Sequence, residues 1–129
     1  MNDGGTNRKD FLDALARLRE GTAEDPKKTG LVVDGVIQRF EFAFEQAWKL
    51  LLTMLRHQGF DCNSPRACIK QGFQAGLIAD GDGWIRMLDD RDRTSRLYDV
   101  KEALKVCLAV RQDHLPLFDA LGESSAKET

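Results

Sequence analysis

Apolar residues recur along this chain in steps of three and four. The longest series lies in LVVDGVIQRFEFAFEQAWKLLLTMLRHQGF, where Val33, Ile37, Phe40, Phe44, Trp48, Leu51 and Leu55 form one stripe. That spacing stacks side chains on one face of an α-helix. Val36, Ala43, Ala47, Leu50 and Met54 widen the stripe. So broad an apolar face predicts a helix packed against two or more neighbours rather than one resting on a surface. Glu45 and Lys49 stand i,i+4 on the other side in the favourable order, and Gly59 supplies a stop.

Shorter elements flank this helix. Asn7 can cap a first helix carrying Phe11, Leu15 and Leu18, which Gly21 ends. GTAEDPKKTG, residues 21–30, has no apolar stripe and reads as a linker. Ser64-Pro65 is a helix start, with serine as cap and proline in the first turn. This third helix is predicted to reach about Ala75, and Gly76 closes it. A turn and a short helical piece around Trp84–Leu88 follow, with Asp82 as its cap. A last long helix is expected from Thr94 or Ser95. Leu97, Val100, Leu104, Cys107 and Leu108 form one of its stripes, and Ala103, Val106 and Val110 a second. Pro116 and Gly122 are predicted to end it, leaving GESSAKET as a disordered tail. No segment reads as a strand. The expected fold is all-α, a four- to five-helix up-and-down antiparallel bundle. It forms a single domain over residues 1–129, with an ordered core over about 8–120 and a flexible tail over 122–129.

Composition narrows the function classes. The chain has 129 residues, 42% hydrophobic and 31% charged, with a formal net charge of −2. No overall field recruits nucleic acid, so any such binding must come from a local patch. No apolar run approaches the ~18 residues of a membrane span, and MNDGGTNRKD lacks the apolar core of a signal peptide. No membrane partner and a cytoplasmic location are expected. Cys62, Cys68 and Cys107 match no zinc or redox spacing and are expected to serve as buried small hydrophobes in a reducing compartment. No cofactor is expected.

Several stretches invite a chemical reading. DGDGWIRMLDD can be set on a calcium loop with Asp80 at its third position. The first position then falls on Ile78 and the last ligand is Asp89 rather than Glu, so a glycine-rich turn is the simpler reading. His57 and His114 lack a second histidine at helical spacing, which leaves no metal site. Glu41 and Glu45 stand i,i+4, as paired acid–base carboxylates or as a solvated or interface face. Finally, DRDRTSRLY, residues 90–98, places Arg91, Arg93 and Arg96 within six positions. It is either a solvated turn or an anion-facing site at the start of a long helix, where backbone N–H groups also point outward.

FEFAFEQAWK (40–49), SPR (64–66), GLI (76–78), Trp84 and DRDRTSRLYD (90–99) together resemble the nucleotidyltransferase substrate-binding proteins of the HEPN superfamily. The likeness covers about residues 8–120. It implies a helical bundle that forms a homodimer and pairs with a separate minimal nucleotidyltransferase. In such pairs the helical subunit acts as an RNA-cleaving toxin and the nucleotidyltransferase as its antitoxin. Carried over by position, the resemblance makes Arg91 and Asp92 the candidate catalytic residues. It makes Tyr98 the position at which the partner attaches AMP. Arg91, Arg93 and Arg96 are the candidates for phosphate or RNA binding, so RNA or a nucleotide is a possible ligand.

The sequence departs from the family's pattern at Arg96, which stands where relatives keep histidine. Metal-free RNA cleavage needs a base for the 2′-hydroxyl proton, and a guanidinium, with a pKa above about 12, cannot accept one. It can still hold phosphate through paired hydrogen bonds. His114 lies 18 residues beyond Arg96, about 27 Å along a helix, and His57 sits at the far end of the second helix, so neither is expected to replace it within one subunit. Three roles remain: a binding and regulatory subunit, a ribonuclease using Arg91 with another base, and a structural bundle.

Overall fold

The computed structural model describes residues 5–96 and 99–128. Its elements are α1 (Arg8–Thr22), α2 (Gly30–His57), α3 (Pro65–Gln74), α4 (Gly81–Arg93), α5 (Val100–Ala109) and α6 (Leu115–Glu128). A π-helical turn, Val110–His114, joins α5 and α6 into one rod, and a 3-10 turn, Thr94–Arg96, follows α4. No strand occurs among the described residues. The fold is the expected all-α bundle.

Local chemistry sets most boundaries. The side chains of Asn7, Thr29, Ser64 and Asp99 each accept a backbone N–H of the turn they open, which satisfies donors that a helix start leaves unpaired. Asp80, not Asp82, caps α4, accepting from Gly83 N at 2.9 Å. That helix is a full 13 residues rather than a short piece. Gly76, at φ +78°, turns the chain after α3, a conformation glycine adopts without strain. Gly72 lets α3 approach α2 closely, since a Cβ there would lie 2.9 Å from the Leu51 methyls.

Helices α1 and α4 both run against α2. Arg39 of α2 donates to Arg17 O of α1 at 2.7 Å, while at the other end the Thr6 N–H and carbonyl both bond the Thr53 hydroxyl. Those pairings make α1 and α2 antiparallel. Arg91–Glu45 and Thr94–Glu41 do the same for α4 and α2. Phe118 is the hub of the core, with its ring 5.9 Å from Phe11, 6.4 Å from Phe40 and 6.0 Å from Trp84. One side chain thus ties α6 to α1, α2 and α4.

The last third of the chain departs from the sequence reading. Thr94 and Ser95 do not cap a long helix. Their hydroxyls turn back to Arg91 O and Asp92 O at 2.7 and 3.3 Å, and the helix begins at Val100 behind the Asp99 cap. Nor does Pro116 end it. Proline in a regular helix clashes with the carbonyl four residues back; here it follows the wider π turn, which accommodates the ring. Residues 122–128 are not a disordered tail but the end of α6. Leu121 and Ser125 are buried, and Arg8 donates to Gly122 O from Nη2 at 2.8 Å and from Nε at 3.1 Å. That clasp joins the first helix to the last.

The cysteines also depart from expectation. Cys62 and Cys68 form a disulfide across the α2–α3 connection, with Cα atoms 5.4 Å apart. Only Cys107 is the buried small hydrophobe predicted for all three.

Candidate functional site

The Arg91 site is built on the last turn of α4 and the middle of α2. Arg91 donates from Nη2 to Glu45 at 3.1 Å and from Nη1 to Asp92 at 3.0 Å. Its guanidinium carbon lies 5.5 Å from the centroid of the Phe44 ring, within reach of a cation–π attraction. Three partners from two helices therefore fix one side chain that is 31% exposed. Glu41, one turn before Glu45, pairs with the Thr94 hydroxyl. The two glutamates are thus neither a free acid–base pair nor a solvated face: they hold the end of α4 in place.

An open cleft of about 760 Å3 runs over these groups. Arg17, Arg39 and Arg91 line it, and so do Glu41, Glu45 and Asp92, with the exposed ring of Phe42 at its wall. Cations and carboxylates alternate, so the cleft is not a positive patch. The arginines also do not sit at a helix start. Arg91 and Arg93 close α4, where carbonyls rather than N–H groups point outward and cations are favoured. Arg93 donates to Asp90 at 2.6 Å, away from the cleft, and Arg96 is exposed in the 3-10 turn. Arg91 and Arg93, expected to share one site, therefore face different surroundings. Leu97 and Tyr98 lie outside the described residues.

Glu45 is held as a carboxylate by its surroundings. Burial pushes the Glu45 carboxyl up, but hydrogen bonds from Trp48 and Lys49 and the charges of Lys49 and Arg91 outweigh it and hold it below the usual glutamate value. A carboxylate so stabilised is a weak base. Among the described residues, no group of three His, Cys, Asp or Glu side chains could hold a metal ion.

His114 is where the sequence reading fails most. Its Nε2 is 2.7 Å from Asp90 Oδ2, beside the stretch from which it was expected to be remote. The chain turns near residue 99 and climbs back along α4, so 90 meets 114 and 84 meets 118. Distance along one helix said nothing about distance across the pair. Still, the ring does not serve the cleft. It is buried, it stacks on Phe40 at 5.5 Å, and its Nδ1 has no hydrogen-bond partner among the described residues. Asp90 accepts from both His114 and Arg93. Burial raises the Asp90 carboxyl, but these two donors and their charges bring it below the usual aspartate value.

The site thus contains contacts that sequence reasoning missed: Glu45 on Arg91, Phe44 beneath it, and Arg17 and Arg39 opposite. The i,i+4 glutamates were visible, but nothing in the sequence named their partner.

The family model described as nucleotidyltransferase substrate binding protein like matches residues 6–127. The chain belongs to this family. Its relatives include the probable ribonuclease HepT of Haemophilus influenzae, 29% identical over an 80-residue alignment that covers 58% of this chain and 55% of the relative. The alignment thus spans about half the length of that curated relative. A crystal structure of a protein from Thermus thermophilus superimposes with a TM-score of 0.74 at 32% identity, covering 91% of this chain and 96% of that one. A Haemophilus influenzae structure, described as revealing the fold of a substrate binding domain of a nucleotidyltransferase, gives a TM-score of 0.80 at 21% identity. It covers 93% of this chain and 99% of its own. That last likeness speaks to the fold alone. No helix of the described residues is long and apolar enough to cross a membrane.

Proposed function

We propose that this chain is the helical, HEPN-type subunit of a two-protein module, forming a homodimer and docking a separate minimal nucleotidyltransferase. The cleft at Arg91 is its contact for a nucleotide or RNA phosphate, and its nuclease centre is impaired. The observation that carries this reading is the state of Arg91. It is anchored by Glu45, Asp92 and Phe44 and keeps part of its surface open, as a directed phosphate donor requires. Arg96 occupies the position of the relatives' base, and the nearest histidine has one ring nitrogen on Asp90 and the other buried. Binding therefore has a group to perform it, whereas among the described residues no histidine lines the cleft. Tyr98, two residues beyond Arg96, is the acceptor for AMP from the partner. Catalysis of nucleotide transfer belongs to the partner chain.

Co-expression with the minimal nucleotidyltransferase of the same genome tests the reading. A stable complex should form. Intact mass should rise by one or more AMP units, and Tyr98→Phe should lose them. Purified alone, the chain should leave RNA intact. Absence of a complex at micromolar concentrations overturns the docking role. Brisk metal-free RNA cleavage that disappears in Arg91→Ala overturns the impaired centre.

A further inference from the structure

The Cys62–Cys68 disulfide lies away from the Arg91 cleft, and its two sulfurs differ in access. Cys62 is part-exposed beneath an open concavity of about 320 Å3 that Asp61, Asn63, Ala67 and Gln71 line with it. Cys68 is fully buried in the first turns of α3, its N–H bonded to Ser64 O at 3.0 Å. A small thiol therefore meets one reachable sulfur, and the other is the leaving group. The third cysteine takes no part. Burial first, and the charge of Asp34 second, push the Cys107 thiol up to about 11.

We propose that Cys62 and Cys68 form a reversible thiol–disulfide centre that exchanges with small thiol and disulfide compounds of the glutathione class. In the reducing direction, an external thiolate attacks Cys62 Sγ. The Sγ–Sγ bond breaks, and Cys68 leaves as a thiolate and takes up a proton. A second external thiolate then attacks the external sulfur of the mixed disulfide. It releases the small disulfide and leaves Cys62 as a thiolate that takes up a proton. Two electrons pass from the two external thiols to the protein. The oxidising direction reverses each step, with the small disulfide as electron acceptor.

The ring closed by this bond contains Ser64, the cap of α3, and Arg66, which pairs with Asp89 of α4 at 3.5 Å. Opening it loosens the approach to α3. The buried Ile69 and the close Gly72–Leu51 contact keep the rest of that helix docked. The change is local and leaves the bundle folded.

Peptide mapping and hydrogen exchange of the full chain test this. Unfolded and digested with trypsin without reductant, the oxidised chain should yield the peptides 57–66 and 67–70 joined. Treated while folded with millimolar dithiol and then iodoacetamide, it should gain an alkyl group at the reachable Cys62, with Cys107 unlabelled. Glutathione disulfide, added after removal of the dithiol, should restore the joined peptides. Amides of residues 60–68 should exchange several-fold faster in the reduced chain, and those of α1 and α6 at an unchanged rate. Cys68→Ser places a hydroxyl in the core, so Cys62→Ser is the control: it should show the faster exchange with or without dithiol. Unjoined peptides from the untreated and glutathione-oxidised chain overturn the proposal. So does a bond that yields to dithiol only after unfolding, or a loss of protection throughout the bundle.

Discussion

Asp90 and Arg91 are adjacent in the chain and serve opposite sides of the same helical turn. The Asp90 side chain is 14% exposed and faces inward, joining His114 of the last rod to Arg93. Arg91 is 31% exposed and faces the cleft, balanced by Glu45 and Asp92. The first is a structural tie whose polar groups have few alternatives to one another. The second is a guanidinium whose carboxylate partners compete with water. Burial therefore separates a group that stabilises the bundle from one that can meet a ligand, although one residue step divides them.

His114→Ala attacks the buried side and should have the largest effect. It removes a ring stacked on Phe40 and leaves the Asp90 carboxylate short of a donor. A loss of about 3 kcal/mol is expected in chemical denaturation. A loss below about 1 kcal/mol would mean that the tie is dispensable and that the two sides do not differ.

Acid should reach both sides through their carboxylates. The Asp90 and Glu45 carboxyls lie below their usual values in the folded protein. Their contribution to stability is full above the unfolded-state values, about pH 4, and is lost as pH falls through the lower folded values. Asp90→Asn should lower stability at neutral pH and flatten this acid limb. An acid limb unchanged by that substitution would show that other carboxylates produce it.

Arg91→Ala should cost at most about 1 kcal/mol, because its ion pairs are part-exposed. On the function proposed above it should nevertheless abolish binding of a nucleotide or of short RNA, measured by calorimetry or anisotropy. Retained binding would remove Arg91 from the site. Glu45→Gln sharpens the contrast further: stability should change by less than about 1 kcal/mol, and anion affinity should rise as Arg91 loses a competing carboxylate. Arg96→Ala, exposed in the 3-10 turn, should alter stability by no more than about 0.5 kcal/mol.

The helices themselves were largely legible in the sequence. The stripe through Val33, Phe40, Phe44, Leu51 and Leu55 is buried as its spacing predicts, while Ile37 and Trp48 are only partly so. Asn7 and Ser64 cap where their chemistry places them. These signals are local: a side chain and a backbone group a few residues apart decide them. The misreadings at Pro116 and Gly122 share one cause. Both residues weaken a helix considered alone, and the rod continues because Phe118, Leu121 and the Arg8 clasp hold it from other helices.

Sequence by itself determined where most of the helices lie and which of their faces are apolar. The tertiary structure alone decided that Glu45 holds Arg91, that His114 meets Asp90, and that Cys62 pairs with Cys68. Helix formation and capping act over a few residues and leave a periodic trace in the chain. Pairing across helices depends on where each turn falls, and moving the start of the last helix from residue 94 to residue 100 redirects every contact made beyond it.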